Sequence, residues 1–303
     1  MTAELASRPP VDLEVAAAVP ADRPSRPPRS GRAPVLRGVI GCSALLLVWL
    51  VLFAVALSGV QEARSQKTLH ATFRQELAEA TAPLSAPIAS GKPVASLTIQ
   101  AVGLRDVVVV QGTSARDLKA GPGHRPDSVL PGQAGRSVLF GRALSYGGVF
   151  RRVPSLKPGA QIVVVTGQGR FVYTVSVVRR AGALALAPAV GTGMLTLVTA
   201  EGSGLGGRWS PDRTVFVDAV LAKPAPAGAI APAATEEAPM KGASSGLIGL
   251  VLWLELLAAV GVAVVWASHR WGRNQSWLLG GALLAAVLWA TTESAWVLLP
   301  NLY

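Results

Sequence analysis

Hydrophobic and polar positions follow two different patterns along the chain. Three long apolar runs, 38–60, 246–268 and 277–299, contain few charges and reach the roughly 20 residues that a helix needs to cross a bilayer. Between the first two runs, from 91 to 222, short β-branched runs alternate with Gly- and Pro-containing turns. Many short strands at this spacing are typical of a β-barrel or β-sandwich. The pattern predicts a mainly β domain combined with three transmembrane α-helices.

The predicted strands share a content of Val, Ile, Leu and Thr and are bounded by turn residues. They cover 96–100, 107–111, 137–140, 161–166, 171–180, 194–199 and 214–221. The strand at 194–199 is apolar throughout and is followed at once by a polar, glycine-rich stretch. Such a strand is expected to be buried, with its carboxyl end opening onto a loop where chemistry is common.

The remaining segments connect these parts. In 61–90, Leu69, Phe73 and Leu77 are spaced by four, which predicts a helix with one apolar face that ends before the prolines at 83 and 87. We expect this segment to form an extracytoplasmic stalk and linker. Residues 1–37 and 223–245 are rich in Pro and Ala, which predicts a disordered tail and a flexible linker.

Charge placement predicts the topology. The chain has 28 Lys and Arg against 17 Asp and Glu, and half of its residues are hydrophobic. Basic residues cluster before the first span, at Arg32 and Arg37, and in the 269–276 loop, at Arg270 and Arg273. The positive-inside rule therefore predicts a multi-pass protein of the cell membrane with a cytoplasmic N-terminus. The β domain and the C-terminus are expected outside.

Several classes of function are disfavoured by composition. The basic residues are not interleaved with aromatics as in a nucleic-acid-binding module, so no nucleic-acid partner is expected. Cys42 is the only cysteine, which excludes an intrachain disulfide and a cysteine metal cluster. The three histidines lack metal-ligand spacing, and no metal or cofactor is expected.

Five short motifs occur in order between 97 and 200. They are L-T-I-Q-A-V-G-L at 97–104, V-V-V-Q-G-T at 108–113, G-P-G-H at 121–124 with L-P-G at 130–132, the stretch 147–159, and T-L-V-T-A at 196–200. Together they resemble the sortases, and most closely the multi-span, class E-like sortases of high-GC Gram-positive bacteria. The resemblance implies a sortase-like β-barrel over 91–222 that acts on a polypeptide of the cell envelope.

The resemblance also implies a catalytic set that this chain lacks. In sortases a cysteine thiolate attacks a peptide carbonyl, a histidine moves protons and an arginine stabilises developing charge. Ala200 stands at the cysteine position and Arg142 at the histidine position, while Arg213 matches the arginine. An alanine methyl has no nucleophile and an arginine has no basic nitrogen at neutral pH. We therefore expect a degenerate member of the family that is not an enzyme.

Three hypotheses follow for function. The first is a pseudoenzyme that binds an extracytoplasmic peptide or envelope protein in the old groove, with Arg142, Arg213 and Thr199 as candidate ligand-binding residues. The second is an active transpeptidase or peptidase that uses Ser203 or Thr199 as a non-cysteine nucleophile. The third is a structural accessory subunit of an envelope complex. His124 is interpreted as a structural histidine.

The apolar spans contain one further candidate. Glu255 lies near the middle of the second predicted span, where an ionisable group costs about 2.5–3.5 kcal/mol on insertion scales. Neither C-terminal span contains a lysine or arginine deep enough to pair with it. Glu255 is therefore a candidate contact for a membrane protein partner, with a protonated glutamate inside a helix bundle as the alternative.

Overall fold

The computed structural model describes residues 44–184, 187–202, 211–228, 246–271 and 273–302. The predicted 1–37 tail lies outside the described residues, as do Cys42, Ser203 and residues 229–245 of the predicted linker. The chain forms two compact units, Met1–Leu46 and Leu47–Tyr303.

Eight strands close into one barrel, which confirms the predicted β-barrel. The strands are β1 (Pro93–Ile99), β2 (Leu104–Gln111), β3 (Gly123–His124), β4 (Gly135–Phe140), β5 (Gln161–Thr166), β6 (Gly169–Arg180), β7 (Gly193–Glu201) and β8 (Arg213–Leu221). Their order around the barrel is β1-β2-β3-β4-β7-β8-β6-β5. The β2–β3 and β4–β7 pairs are parallel and the other pairs are antiparallel.

All seven strands predicted from the sequence are present, and only β3 was missed. β5 alternates between buried and less buried residues, as a strand with one face on the core should, whereas β7 is buried along nearly its whole length. β3 is only two residues long and sits among glycine and proline, so it carries no periodicity to recognise. It exists because the edge of β2 and the edge of β4 both need a hydrogen-bonding partner.

The N-terminal helix, α1, includes helical residues 44–52, a π-helical turn at Phe53–Leu57 and a regular α-helix at Ser58–Ala78. The predicted apolar face is real: Leu69, Phe73 and Leu77 pack with Ala82 and Val108 of β2. The Gln66 side chain extends this contact, since its Nε2 donates to the carbonyls of Val108 and Ala120 and its Oε1 accepts from the N–H of Val108. The helix thus lies against the barrel wall.

Two helices follow the barrel, α2 (Leu247–Trp271) and α3 (Arg273–Leu298). Among the described residues, the stretches long and apolar enough to cross a membrane number two, Leu247–Ser268 and Gly280–Leu298, where the sequence predicted three spans. Part of the first predicted span, 38–43, lies outside the description. The helices α2 and α3 pack through Val260, Val264 and Val287. These two apolar C-terminal helices suggest association with a membrane.

Candidate active site

Ala200 lies near the carboxyl end of β7, at one mouth of the barrel. β7 pairs with β4 on one side and with β8 on the other, where Ala200 faces Thr214. The Ala200 side chain is 3% exposed. It belongs to an apolar cluster whose other members are Leu118, Val138, Phe140, Ala143, Val198 and Leu302. A methyl group at this position therefore contributes packing and nothing reactive.

Arg142 lies in the loop that follows β4, and it is buried rather than on the surface. Its side chain is 1% exposed. Its guanidinium donates to the carbonyls of Leu118 at 3.2 Å and Ala115 at 2.7 Å, and to the Ser145 Oγ at 3.2 Å. It also lies over the Tyr146 ring, with 5.0 Å between Cζ and the ring centroid. This side chain ties the loop before β3 to the loop after β4.

Burial lowers the pKa of Arg142 to about 10. The group therefore remains protonated at neutral pH and cannot accept a proton. The glycine before it is required by packing, because a Cβ at Gly141 would collide with the Phe150 ring. The Gly141 N–H donates to the Val198 carbonyl at 2.9 Å and continues the β4–β7 ladder past Phe140.

Arg213 is the first residue of β8 and faces a different direction from Ala200. Directly paired residues of an antiparallel ladder share a face and successive residues alternate. Thr214 is paired with Ala200 and Arg213 with Glu201, so Arg213 and Ala200 lie on opposite faces. Nearly half of the Arg213 side chain is exposed, and its Nε lies 3.7 Å from Asp212 Oδ1. Arg213 therefore points away from the face that carries Ala200.

Of the two candidate hydroxyl nucleophiles, Thr199 and Ser203, the structure describes Thr199. Thr199 is fully buried, and its Oγ1 has no hydrogen-bond partner among the residues that the structure describes. Its β8 partner is Val215, which is also fully buried, so no base is offered from that strand. Ser203 lies outside the described residues. Within the part of the chain that the structure describes, strand β8 therefore offers Thr199 no adjacent base of the kind that an attacking hydroxyl needs.

His124 has the structural role predicted for it, although on strand β3 rather than in a loop. Its Nδ1 lies 2.8 Å from Gln111 Oε1, and its Nε2 lies 2.9 Å from the Val129 carbonyl and 3.1 Å from Ser128 Oγ. Burial lowers its pKa to about 4, so the ring is neutral at physiological pH. Both ring nitrogens are occupied within the fold.

The segment 299–302, which follows α3, covers the site and was not anticipated from the sequence. Leu302 and Asn301 are fully buried. The Leu302 side chain packs in the cluster that contains Ala200, and its carbonyl accepts a hydrogen bond from the Ala143 N–H at 2.9 Å. Asn301 Nδ2 donates to the Thr113 carbonyl at 3.3 Å. A four-residue segment outside any periodic run contains no sequence pattern that could have predicted this docking.

The comparisons with known proteins agree with this fold. Residues 97–219 match the profile of the sortase domain family. The chain is 30% identical over 118 residues to sortase D of Bacillus subtilis (strain 168), an alignment that covers 39% of this chain and 51% of that protein. The chain thus spans about half the length of this curated relative.

Residues 97–219 are a sortase domain.

Solved structures with similarity to the chain include a sortase D5 transpeptidase of Clostridium perfringens, at 21% identity and a TM-score of 0.45, which covers 53% of this chain and 99% of that one. Another is sortase E of Streptomyces avermitilis, at 26% identity and a TM-score of 0.38, which covers 45% of this chain and 91% of that one.

Another group in the sortase domain was missed from the sequence. The Asp218 carboxylate of β8 is fully buried on the face that Ala200 shares, and it accepts from Thr196 Oγ1 at 2.7 Å and from Arg179 Nε at 2.5 Å. Arg136 adds an ion pair at 3.7 Å. These partners come from β7, β6 and β4, which lie next to one another or to β8 in the sheet but far apart in sequence, so only strand pairing assembles them.

Outside the sortase domain, Glu255 is exposed on α2 among exposed apolar side chains that include Leu254 and Leu256. Its contact with a membrane partner stays a prediction. Glu293, near the end of α3, lies by the barrel: its backbone carbonyl is 3.5 Å from Lys119 Nζ.

Proposed function

We propose that this protein is a membrane-anchored, non-catalytic member of the sortase group that acts by binding. The observation that supports this most directly is the state of two side chains. The Ala200 methyl lies in an apolar cluster, and the Arg142 guanidinium is bonded to backbone carbonyls. The resemblance assigns the nucleophile and the proton-transfer group to these two positions. Neither side chain can make or break a bond, because one lacks a reactive atom and the other stays protonated.

The ligand class follows from the retained barrel. Sortases take an extended polypeptide across the mouth of the barrel, so the ligand proposed here is a segment of an extracytoplasmic envelope protein. The proposal places the barrel outside the membrane, carried by α1, α2 and α3 in a multi-pass arrangement. Lys and Arg beside the first and between the last two apolar runs support that orientation.

The second candidate function is a structural accessory subunit. It is favoured by the close contact between the barrel and the helices: the Phe53 ring of α1 lies 5.7 Å from the Trp296 ring of α3, and both pack with Tyr146 beside Arg142. A barrel fixed to its own membrane helices could act as a rigid spacer. The exposed Glu255 is then the candidate contact with another membrane protein.

Inactivity is tested with the full-length protein in detergent, incubated with a sorting-signal peptide and an amine acceptor. We expect no transfer product and no acyl adduct by mass spectrometry. Turnover that disappears in Ser203→Ala or Arg213→Ala, but persists in the matched surface variant Ser155→Ala, would refute the proposal. A fluorophosphonate probe that labels the protein but not Ser203→Ala would instead establish the hydroxyl-nucleophile alternative.

The binding and spacer functions are separated by capture from solubilised membranes. Arg213→Ala and Glu255→Leu are compared with wild type and with Glu255→Gln, which keeps a polar group at the same position. Loss of the same captured protein only in Glu255→Leu supports the spacer function. Loss of the captured protein only in Arg213→Ala supports binding of an envelope polypeptide.

A further inference from the structure

In the loop after β4, two alternate backbone N–H groups donate hydrogen bonds to two different parts of the chain. The Gly141 N–H is bonded to Val198 of β7, and two residues later the Ala143 N–H is bonded to Leu302 at the same 2.9 Å distance. Alternate N–H groups that point to one side are the pattern of a strand edge. Segment 299–302 therefore meets the loop after β4 through a main-chain hydrogen bond, made from a turn at 301–302.

The side chains make the contact specific. Leu302 packs in the apolar cluster that also contains Ala200, Leu118 and Phe140. Asn301 Nδ2 donates to the carbonyl of Thr113, two residues after the end of β2. Both side chains are fully buried. An apolar side chain on the barrel mouth and an amide bonded to the backbone together form a two-point attachment.

Because Ala200 and Arg142 stand at the cysteine and histidine positions, a leucine side chain can be buried here at little energetic cost. A leucine packed against a thiolate and an imidazolium would remove water from both charges, which is costly. In this chain the floor is a methyl group, and the neighbouring charge of Arg142 is compensated by the carbonyls of Ala115 and Leu118. Leu302 thus buries no unsatisfied charge at this position.

The helix before the segment is also held in place. Trp49 Nε1 of α1 donates to Thr292 Oγ1 at 3.0 Å, Trp296 packs with Phe53, and Lys119 Nζ approaches the Glu293 carbonyl. A segment that follows a fixed helix loses little freedom when it docks, and its effective concentration at the site is in the millimolar range or above. An external peptide must compete with that concentration.

We propose that the degenerate site is a docking site whose resident ligand is segment 299–302 of this same chain, and that an external polypeptide gains the site only by displacing it. The competition with an external ligand rests on the proposed binding function. The occupancy of the site by 299–302 does not depend on that function, so the two proposals can fail separately. At this site the segment attaches α3 to the barrel through the contacts of Asn301 and Leu302.

The test uses cysteine labelling of the full-length protein in detergent, in a Cys42→Ser background. Ala200→Cys reports the covered floor, Lys157→Cys reports an exposed loop, and Ala219→Cys reports the barrel interior. We expect a maleimide to label Ala200→Cys at least tenfold more slowly than Lys157→Cys. Adding Leu302→Asp should accelerate the Ala200→Cys reaction at least tenfold and leave the other two rates unchanged.

Leu302→Ala serves as the second variant if Leu302→Asp unfolds the barrel, which faster labelling of Ala219→Cys would reveal. Rapid labelling of Ala200→Cys with Leu302 intact would overturn the proposal, as would slow labelling that neither Leu302 variant changes. A sorting-signal peptide that accelerates labelling would support displacement. Peptide turnover in the wild-type protein would contradict the non-catalytic function and leave the occupancy result intact.

Discussion

The N–H of Ala143 donates a hydrogen bond to the carbonyl of Leu302 at 2.9 Å, which joins the loop after β4 to a segment 159 positions later in the chain. The two residues share an apolar cluster with Ala200. The position that would hold a nucleophile is therefore covered by the chain itself. This relationship, and the buried Arg142 beside it, determine how the site can be tested.

The Ala143 amide offers a measurement with its control in the same loop. In Leu302→Ala, removal of the buried side chain weakens docking, and we expect hydrogen exchange at the Ala143 amide to accelerate at least tenfold. The Gly141 amide, bonded to Val198, should stay protected. Equal acceleration at both amides would mean that the loop opens as a whole, and no change at Ala143 would contradict the docking.

Arg142 and Arg213 form a matched pair of variants. Arg142→Met removes the donors that hold Ala115, Leu118 and Ser145, and we expect a loss of about 2–4 kcal/mol in the free energy of unfolding. Arg213→Met should change it by no more than about 0.5 kcal/mol, because its side chain is nearly half exposed and its ion pair is long. Denaturant unfolding in detergent measures both. A similar loss in the two variants would contradict a structural role specific to Arg142.

His124 should make the stability of the barrel depend on pH. Its pKa is lowered by burial from 6.5 to about 4, so the neutral ring is favoured in the folded state. The stabilisation is fully present above pH 6.5, and it is lost as the pH falls from there to about 4. The loss is on the order of 3 kcal/mol. Burial also raises the pKa of Glu62, to about 7. The difference in unfolding free energy between wild type and His124→Gln, followed from pH 8 to pH 4, therefore separates the contribution of His124 from that of Glu62. A difference that is constant with pH would contradict the assignment.

Gln66 should attach α1 to the barrel. Its amide makes three hydrogen bonds to the backbone at Val108 and Ala120, and Gln66→Leu leaves those groups unpaired. We expect a loss of about 2–3 kcal/mol in unfolding free energy. Gln75→Leu is the control on the same helix, because Gln75 is exposed and its Nε2 donates to Glu79, the residue after α1, rather than to the barrel. An equal effect of the two substitutions would mean that helix propensity, rather than the barrel contact, is responsible.

Much of the fold could be predicted because it follows from local periodicity. Seven strands were found from runs of β-branched residues between turns, and the apolar face of α1 from the spacing of Leu69, Phe73 and Leu77. The ordered motifs from 97 to 200 indicated the sortase resemblance, and the sequence match over 97–219 agrees with it. The absence of a cysteine at 200 and of a histidine at 142 needs no structure to establish.

Other features depend on groups that only the folded chain brings together. Asp218 with Arg179 and Arg136, and Leu302 with Ala200, join residues far apart in sequence, and no local pattern encodes such contacts. The sequence identified Arg142 as a candidate ligand-binding residue but contained no sign of its burial. Tertiary packing decided that it is buried, because three nearby acceptors compensate its desolvated charge. The sequence by itself determined which reactive groups are missing, and the tertiary structure decided what occupies their place.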